Sequence, residues 1–269
     1  ARSQIFVCIV ILRVLIAAAH RLPFLAINHL EAHALTVGLT EGVPPPYLLL
    51  LVSGGHTQLL IVRDVGAYDR LGTTVDDALG EAFDKTAKLL GLPFPGGPAV
   101  EHCGQAGRAD RFAFPRPMLG RPEPHFSFAG LKTSVRHTVT GLGHLAKQDV
   151  ADICASFEAA VADAVADRVS RAMTLYEDRL GADAPLRFAV AGGVAANRKL
   201  RNRLELVARA RGFSLHVPPP ALCTDNAAMV AGLAQHKLRE GAVGQLDLDA
   251  TPNAPLGRRG ANYRPNQSA

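Results

Sequence analysis

YLLLLVSGGHTQLLIV, residues 47–62, sets two apolar runs, 47–52 and 58–62, on either side of a short glycine-centred interruption. Apolar runs of this length bounded by turn residues read as buried strands, and glycine supplies the positive φ of tight hairpin turns. The spacing predicts a hairpin turning at Gly54-Gly55. Immediately upstream, Pro44-Pro45-Pro46 cannot continue a helix or an interior strand. That break is the predicted boundary between residues 1–46 and residues 47–269.

Working outward, VDDALGEAFDKTAKLLG (75–91) has acids early, Lys85 and Lys88 late and Gly91 past the end, which predicts a helix. PFPGGP (93–98) reads as a loop and FSFAGLKT (126–133) as a turn. A long Ala-rich helix is expected over 149–180, a strand entering a glycine turn over 186–193, a basic helix over 195–211 and a last helix over 225–239. The chain from about 248 onward reads as irregular. Upstream of the prolines, residues 9–20 have helical composition, 23–27 form a short apolar strand, and 28–40 form a helix. Strands alternating with helices, with a hairpin among them, indicate a mixed α/β sheet.

The chain has 269 residues, more than the usual single domain, with 48% apolar and 20% charged residues. A net charge of +5 permits a polyanionic partner without requiring one. Cys8, Cys103, Cys154 and Cys223 are scattered, with no CxxC pair, so neither a disulfide framework nor a cysteine-built zinc site is expected. IFVCIVILRVLIAAA (5–19) has the apolar and small-residue pattern of a secretory leader, but Arg13 interrupts it and it is too short to span a bilayer. The reading is a reducing cytoplasm and no membrane.

The sharpest chemical pattern is NHLEAH, residues 28–33. His29 and His33 are four apart, so on a helix they share a face and could share a metal ion. Two surface or capping histidines are the alternative. A zinc protease needs its acid one residue after the first histidine. Here Glu31 is two residues from each, about 200° round the helix, and cannot easily reach a water on their metal. Asp225 in CTDNAAM (223–229) is a candidate third ligand, or simply a helix cap. Two imidazoles with one carboxylate suit Fe2+ or Zn2+. SGGH (53–56), PGGP (95–98) and AGGVAAN (191–197) are glycine turns where backbone N–H groups can approach a phosphate. No GxxxxGK[ST] occurs, so a P-loop is excluded. Asp84 is a surface acid or a ribose or ammonium ligand.

NHLEAH, LLVSGGHTQLL, TVDDALGEAFDKTAKLLGLPFPGGP, FSFAGLKTSV, AGGVAANRKLR and CTDNAAM together resemble, in order and spacing, the tRNA threonylcarbamoyladenosine transferase family over residues 13–245. The resemblance implies an α/β, actin-like ATPase and sugar-kinase fold of two lobes clamping a nucleotide. It implies transfer of a threonylcarbamoyl group from threonylcarbamoyl-AMP to the N6 amine of the adenosine 3′ of the anticodon, in tRNAs reading codons that begin with A. Carried over by position, His29, His33 and Asp225 become ligands of one metal ion per chain, usually Fe2+. Leu51, Val52, Ser53, Gly54 and Gly55 become the phosphate-side hairpin, and Asp84, Gly97 and Asn197 contact the substrate nucleotide. Implied protein partners are a related actin-like subunit and, in bacteria, a P-loop ATPase.

Two departures stand out. Ala32 occupies a position where the family usually has glycine. The family's opening segment, with its first phosphate hairpin, has no counterpart in residues 1–12, so an incomplete first lobe and no autonomous transfer are expected. An actin-like carbohydrate or acyl kinase would share the turns without needing His29 and His33. A non-catalytic subunit of a tRNA-modification complex would keep the fold as a docking surface. Arg198, Lys199, Arg201, Arg203, Arg209 and Arg211, with Arg258, Arg259 and Arg264 in the tail, each read singly as a solvated basic face, and collectively could meet tRNA phosphates.

Overall fold

The computed structural model describes residues 12–241 and Leu256. Helix α1 is described over residues 12–19 and α2 spans His29–Glu41. Then follow β1 (Tyr47–Val52), β2 (Thr57–Asp64), β3 (Ala67–Thr73), α3 (Leu79–Leu89), α4 (Gly96–Gly104), α5 (Ala129–Leu142) and α6 (Lys147–Leu180). β4 (Arg187–Ala191), a 3-10 turn (Gly193–Ala196), α7 (Arg198–Ala210), β5 (Ser214–His216), α8 (Pro220–Cys223) and α9 (Ala227–Arg239) complete the order. One sheet runs β3-β2-β1-β4-β5; β1 is antiparallel to β2 and parallel to β4, and β4 is parallel to β5.

The unbroken apolar run of β1 follows from its place at the centre of this sheet, covered on both faces. Leu48, Leu50 and Val52 point to one face and join Ile153, Phe157 and Val161 of α6 and Phe83 of α3. Tyr47, Leu49 and Leu51 point to the other and meet Leu30, Ala34 and Val37 of α2. Each of these leucines is fully buried and contributes about 1.5–3 kcal/mol. Thus α2, which precedes the prolines, shares a core with strands that follow them. Pro44–Pro46 lies between α2 and β1, whose side chains pack in one cluster.

Several local expectations change. Residues 23–27 are not a strand: Phe24 alone among them makes a β-bridge, and Asn28, in extended conformation, caps α2. The helix expected from 75 begins at Leu79, and Asp76 and Asp77 ahead of it tie α3 to α5. Asp76 Oδ1 accepts from the backbone N–H of Phe128, at the start of α5, and Asp77 pairs with Lys85 and Lys132. PFPGGP is not all loop; α4 starts at Gly96, whose N–H donates to Asp84 Oδ1 at 2.8 Å. The 126–133 turn gives way to α5 at Ala129. The 3-10 turn occupies the first residues of the expected 195–211 helix, and α9 starts two residues later than expected. The hairpin forms, but neither Gly54 nor Gly55 has positive φ. Ser53 closes the turn instead: its N–H donates to His56 O at 2.8 Å and its Oγ accepts from His56 N at 3.2 Å. Of the helix expected over 9–20, residues 9–11 lie outside the described residues, as does the tail from 248, Leu256 apart.

Candidate functional site

Helix α2 starts where it does because Asn28 Oδ1 accepts from Leu30 N and Glu31 N, at 2.9 and 3.1 Å. This fixes His29 and His33 one turn apart, with rings edge to face and centroids 4.8 Å apart. Asp225 reaches both: its Oδ1 is 3.2 Å from His29 Nε2 and 3.0 Å from His33 Nε2. The three ligand atoms lie within 4.8 Å of one another. The cap of α9 falls to Asn226, whose side chain accepts from Met229 N at 2.9 Å, so capping does not account for Asp225. His33 is buried, while Asp225 is 77% exposed, which leaves the cluster open on one side.

Burial lowers the His33 pKa and the nearby His29 lowers it further, outweighing the hydrogen bond and charge of Asp225. A neutral imidazole keeps the lone pair that a metal needs. Two imidazole nitrogens beside one carboxylate oxygen form a donor set that fits a borderline divalent ion. Glu31 takes no part. Its Oε1 accepts from Gly66 N and Tyr68 Oη, both at 3.0 Å, and its Oε2 meets Lys237 Nζ at 2.6 Å. A third imidazole, His56, stands close enough that both histidines depress its pKa, after burial itself. The sequence reading passed over His56, although it sits in the same SGGHT turn as the glycines.

The two glycine turns meet beside this cluster, outside the C-terminal ends of β1 and β4. Gly192 has φ 97, and a Cβ there would lie 2.2 Å from Val52 O, so only glycine fits. Gly80, at the start of α3, closes on the hairpin in the same way, with a Cβ position 2.7 Å from Ser53 O and 2.8 Å from Gly54 Cα. Thr224 Cγ2, next to Asp225, is 3.7 Å from the Cβ position of Gly193. A Cβ at Gly54 or Gly55 would meet nothing within 4 Å, so that turn is open to a ligand. Carboxyl ends of parallel strands are where α/β sheets bind ligands.

Of the predicted hairpin contacts, Leu51 and Val52 are fully buried and their side chains face the core, so only Ser53, Gly54 and Gly55 reach the surface. Asp84 uses Oδ1 to seat Gly96, which brings it to the first turn of α4, where Gly97 is open. Asn197 is buried: Oδ1 caps α7 through Leu200 N, and Nδ2 donates to Glu158 Oε1, both at 2.8 Å. Burial pushes the Glu158 carboxyl up, against the Asn197 hydrogen bond. A depression of about 400 Å³ beside β5, lined by Glu41, Arg201, Glu205 and Leu215, contains none of these residues.

Residues 11–232 match the family model of tRNA N6-adenosine threonylcarbamoyltransferase. The chain belongs to this family. The tRNA N6-adenosine threonylcarbamoyltransferase of Brucella anthropi is 55% identical over 246 residues, covering 91% of this chain and 68% of its own length. That of Bradyrhizobium sp. is 55% identical over 240 residues, covering 89% of this chain and 66% of its own. Among solved structures, full-length HypF in a phosphate- and nucleotide-bound form aligns with TM-score 0.57 and 14% identity over 81% of this chain and 44% of its own. T. kodakarensis HypF gives 0.57 and 16%, over 82% and 38%. At such identity the likeness speaks for the fold, the expected actin-like α/β arrangement. The threonylcarbamoyltransferase family consists of acyl-type transferases, and tRNA modification is its field.

Ala32 is fully buried against Met229 and Leu233 of α9, so its methyl adds to the contact that carries Asp225. The basic stretch is less free than its composition suggested. Lys199 donates to Ala155 O, Arg201 to Ala195 O, and Arg211 to Glu177. Arg203 faces Asp163 and Arg209 faces Glu205. Arg198 and Arg209, 75% and 79% exposed, remain the most available to solvent. Arg258, Arg259 and Arg264 lie outside the described residues.

Proposed function

We propose that this chain transfers the threonylcarbamoyl group of threonylcarbamoyl-AMP to the N6 amine of the adenosine 3′ of the anticodon, in tRNAs reading codons that begin with A. The observation that carries the reading is the meeting of the His29–His33–Asp225 cluster with two glycine turns at one end of β1 and β4. Metal ligands beside open backbone N–H groups suit a phosphate-bearing acyl donor.

The donor's phosphate would lie against the turn Ser53–Gly55 and the first turn of α4 at Gly97, where exposed N–H groups favour negative charge. Asp84 and Asn197 would border the adenosine side. His29, His33 and Asp225 would hold one divalent ion, Fe2+ or Zn2+, which supplies neutralisation of charge on the departing phosphate. The adenosine N6 attacks the carbamoyl carbon, the bond from that carbon to the phosphate oxygen breaks, AMP leaves with the electron pair, and the amine gives up a proton. Alignment of amine and carbonyl accounts for much of the acceleration in such transfers.

In this reading tRNA is the acceptor, a related actin-like subunit and a P-loop ATPase are protein partners, and the work is done in the cytoplasm. Among the described residues no helix is long and apolar enough to cross a membrane. The test supplies the chain, with its partners, with threonylcarbamoyl-AMP and unmodified tRNA, and digests the tRNA to nucleosides for mass spectrometry. The expected product is threonylcarbamoyladenosine in tRNAs reading A-starting codons. Its absence with all partners present contradicts the proposal.

A further inference from the structure

Among the described residues the Asp225 carboxylate forms its ion pairs with His29 and His33. Its position is therefore set by what holds α9, two residues further on. Three features hold that helix to α2. Ala32 packs against Met229 and Leu233. Gly232 lets the helices close, since a Cβ there would lie 2.4 Å from Leu39 Cδ1. The third is polar: Lys237 Nζ reaches Glu31 Oε2 at 2.6 Å, with side chains 17% and 6% exposed. Apolar contacts resist separation but tolerate sliding and rotation, whereas a buried ion pair fixes register. Lys237 stands twelve residues beyond Asp225, about 18 Å along a helix at 1.5 Å per residue. Rotation of α9 about its axis would carry Asp225 away from the histidines.

The same geometry explains why an acid stands between two histidines without touching their metal. On α2, Glu31 lies across the helix from His29 and His33, with Oε1 anchored by Gly66 N and Tyr68 Oη. One face of the helix thus offers two ligands, while the other grips the element that delivers the third. We propose that Glu31, through Lys237, is a positioning residue for the metal centre, setting the register of α9 that places Asp225 against His29 and His33. This rests on the metal reading given above.

The test uses the full chain, stripped of metal and titrated with Co2+, whose visible absorption reports ligand geometry. Because Glu31→Gln alone leaves a buried ammonium unpaired, the informative variant is the double change Glu31→Gln with Lys237→Met, which removes both charges. Its thermal midpoint is expected to stay near that of the wild type, while Co2+ affinity falls tenfold or more and the absorption bands shift. In an Asp225→Ala background the same double change should cost nothing further, and Lys237→Arg should retain wild-type affinity. Unchanged affinity in the double variant, or an equal loss with and without Asp225, overturns the inference while leaving the metal centre intact. A wild-type chain that takes up no Co2+ overturns both.

Discussion

His33 Nε2 stands 3.0 Å from Asp225 Oδ1 although 192 residues of chain separate them. The contact closes the cluster from two helices distant in sequence, so each ligand should matter to metal retention in its own way. His33 is buried and His29 is 54% exposed. We expect His33→Ala to abolish stoichiometric metal, and Asp225→Ala and His29→Ala each to weaken its binding at least tenfold while leaving it measurable. Elemental analysis after dialysis measures this; full metal in Asp225→Ala would exclude the carboxylate as a ligand.

The glycines of the two turns should separate stability from chemistry. Gly192→Ala forces a Cβ to 2.2 Å from Val52 O at a positive φ, and should cost about 3 kcal/mol or more. Gly55→Ala meets open space and should change stability by less than about 0.5 kcal/mol. Its methyl would nevertheless stand where a phosphate approaches, so threonylcarbamoyl transfer should fall. Urea unfolding alongside the transfer assay distinguishes the two, and a Gly55→Ala protein with full activity would place the phosphate elsewhere.

Much of this arrangement was readable in the sequence, and the exceptions share a cause. The β1–β2 hairpin and the α6 and α7 helices announce themselves because one element buries a continuous or periodic apolar set. β3 (AYDRLGT) and β5 (SLH) do not, since an edge strand half open to water needs no such pattern. The start of α4 was hidden by Gly96 and Gly97, which look like loop until Asp84 is seen to supply the contact. His29 and His33 were legible from their spacing, whereas Asp225 read equally as a third ligand or a helix cap until motif order joined it to them. The division of labour between Asp225 and Asn226 required coordinates, because either residue can cap a helix. The role of Glu31 was half visible: helical geometry removed it from the metal, but nothing local pointed to Lys237.

Asp77 gives a pH prediction. Partial burial pulls its carboxyl up, but hydrogen bonds from Lys132 and Lys85, at 2.7 and 2.6 Å, outweigh this and hold it below the usual carboxylate value. A depressed folded pKa means the stabilisation is complete above the unfolded value and is lost as pH falls through the folded one. Asp77→Asn should therefore cost about 1–2 kcal/mol at pH 7, with the difference from wild type shrinking as the pH is lowered below about 4. A difference that persists at the lowest pH where both proteins fold would mean the lysines do not set it.

Binding to tRNA should depend on salt through the exposed arginines. Replacing both Arg198 and Arg209 by serine should reduce the slope of log K against log salt by roughly one to two, whereas Lys199→Met, whose Nζ is held by Ala155 O, should leave it unchanged. Filter binding across a salt series decides it. An unchanged slope in the double variant would remove α7 from the tRNA surface.

The central claim is that one divalent ion sits between His29, His33 and Asp225, beside the open hairpin turn at Gly54 and Gly55. Anomalous diffraction at the iron and zinc edges, from crystals grown with a stable analogue of threonylcarbamoyl-AMP, tests it most directly. The account predicts a single strong peak within bonding distance of both Nε2 atoms and the Asp225 carboxylate, with the analogue's phosphate against the turn. An analogue bound there with no peak at the three side chains, or with the peak on other residues, would contradict it.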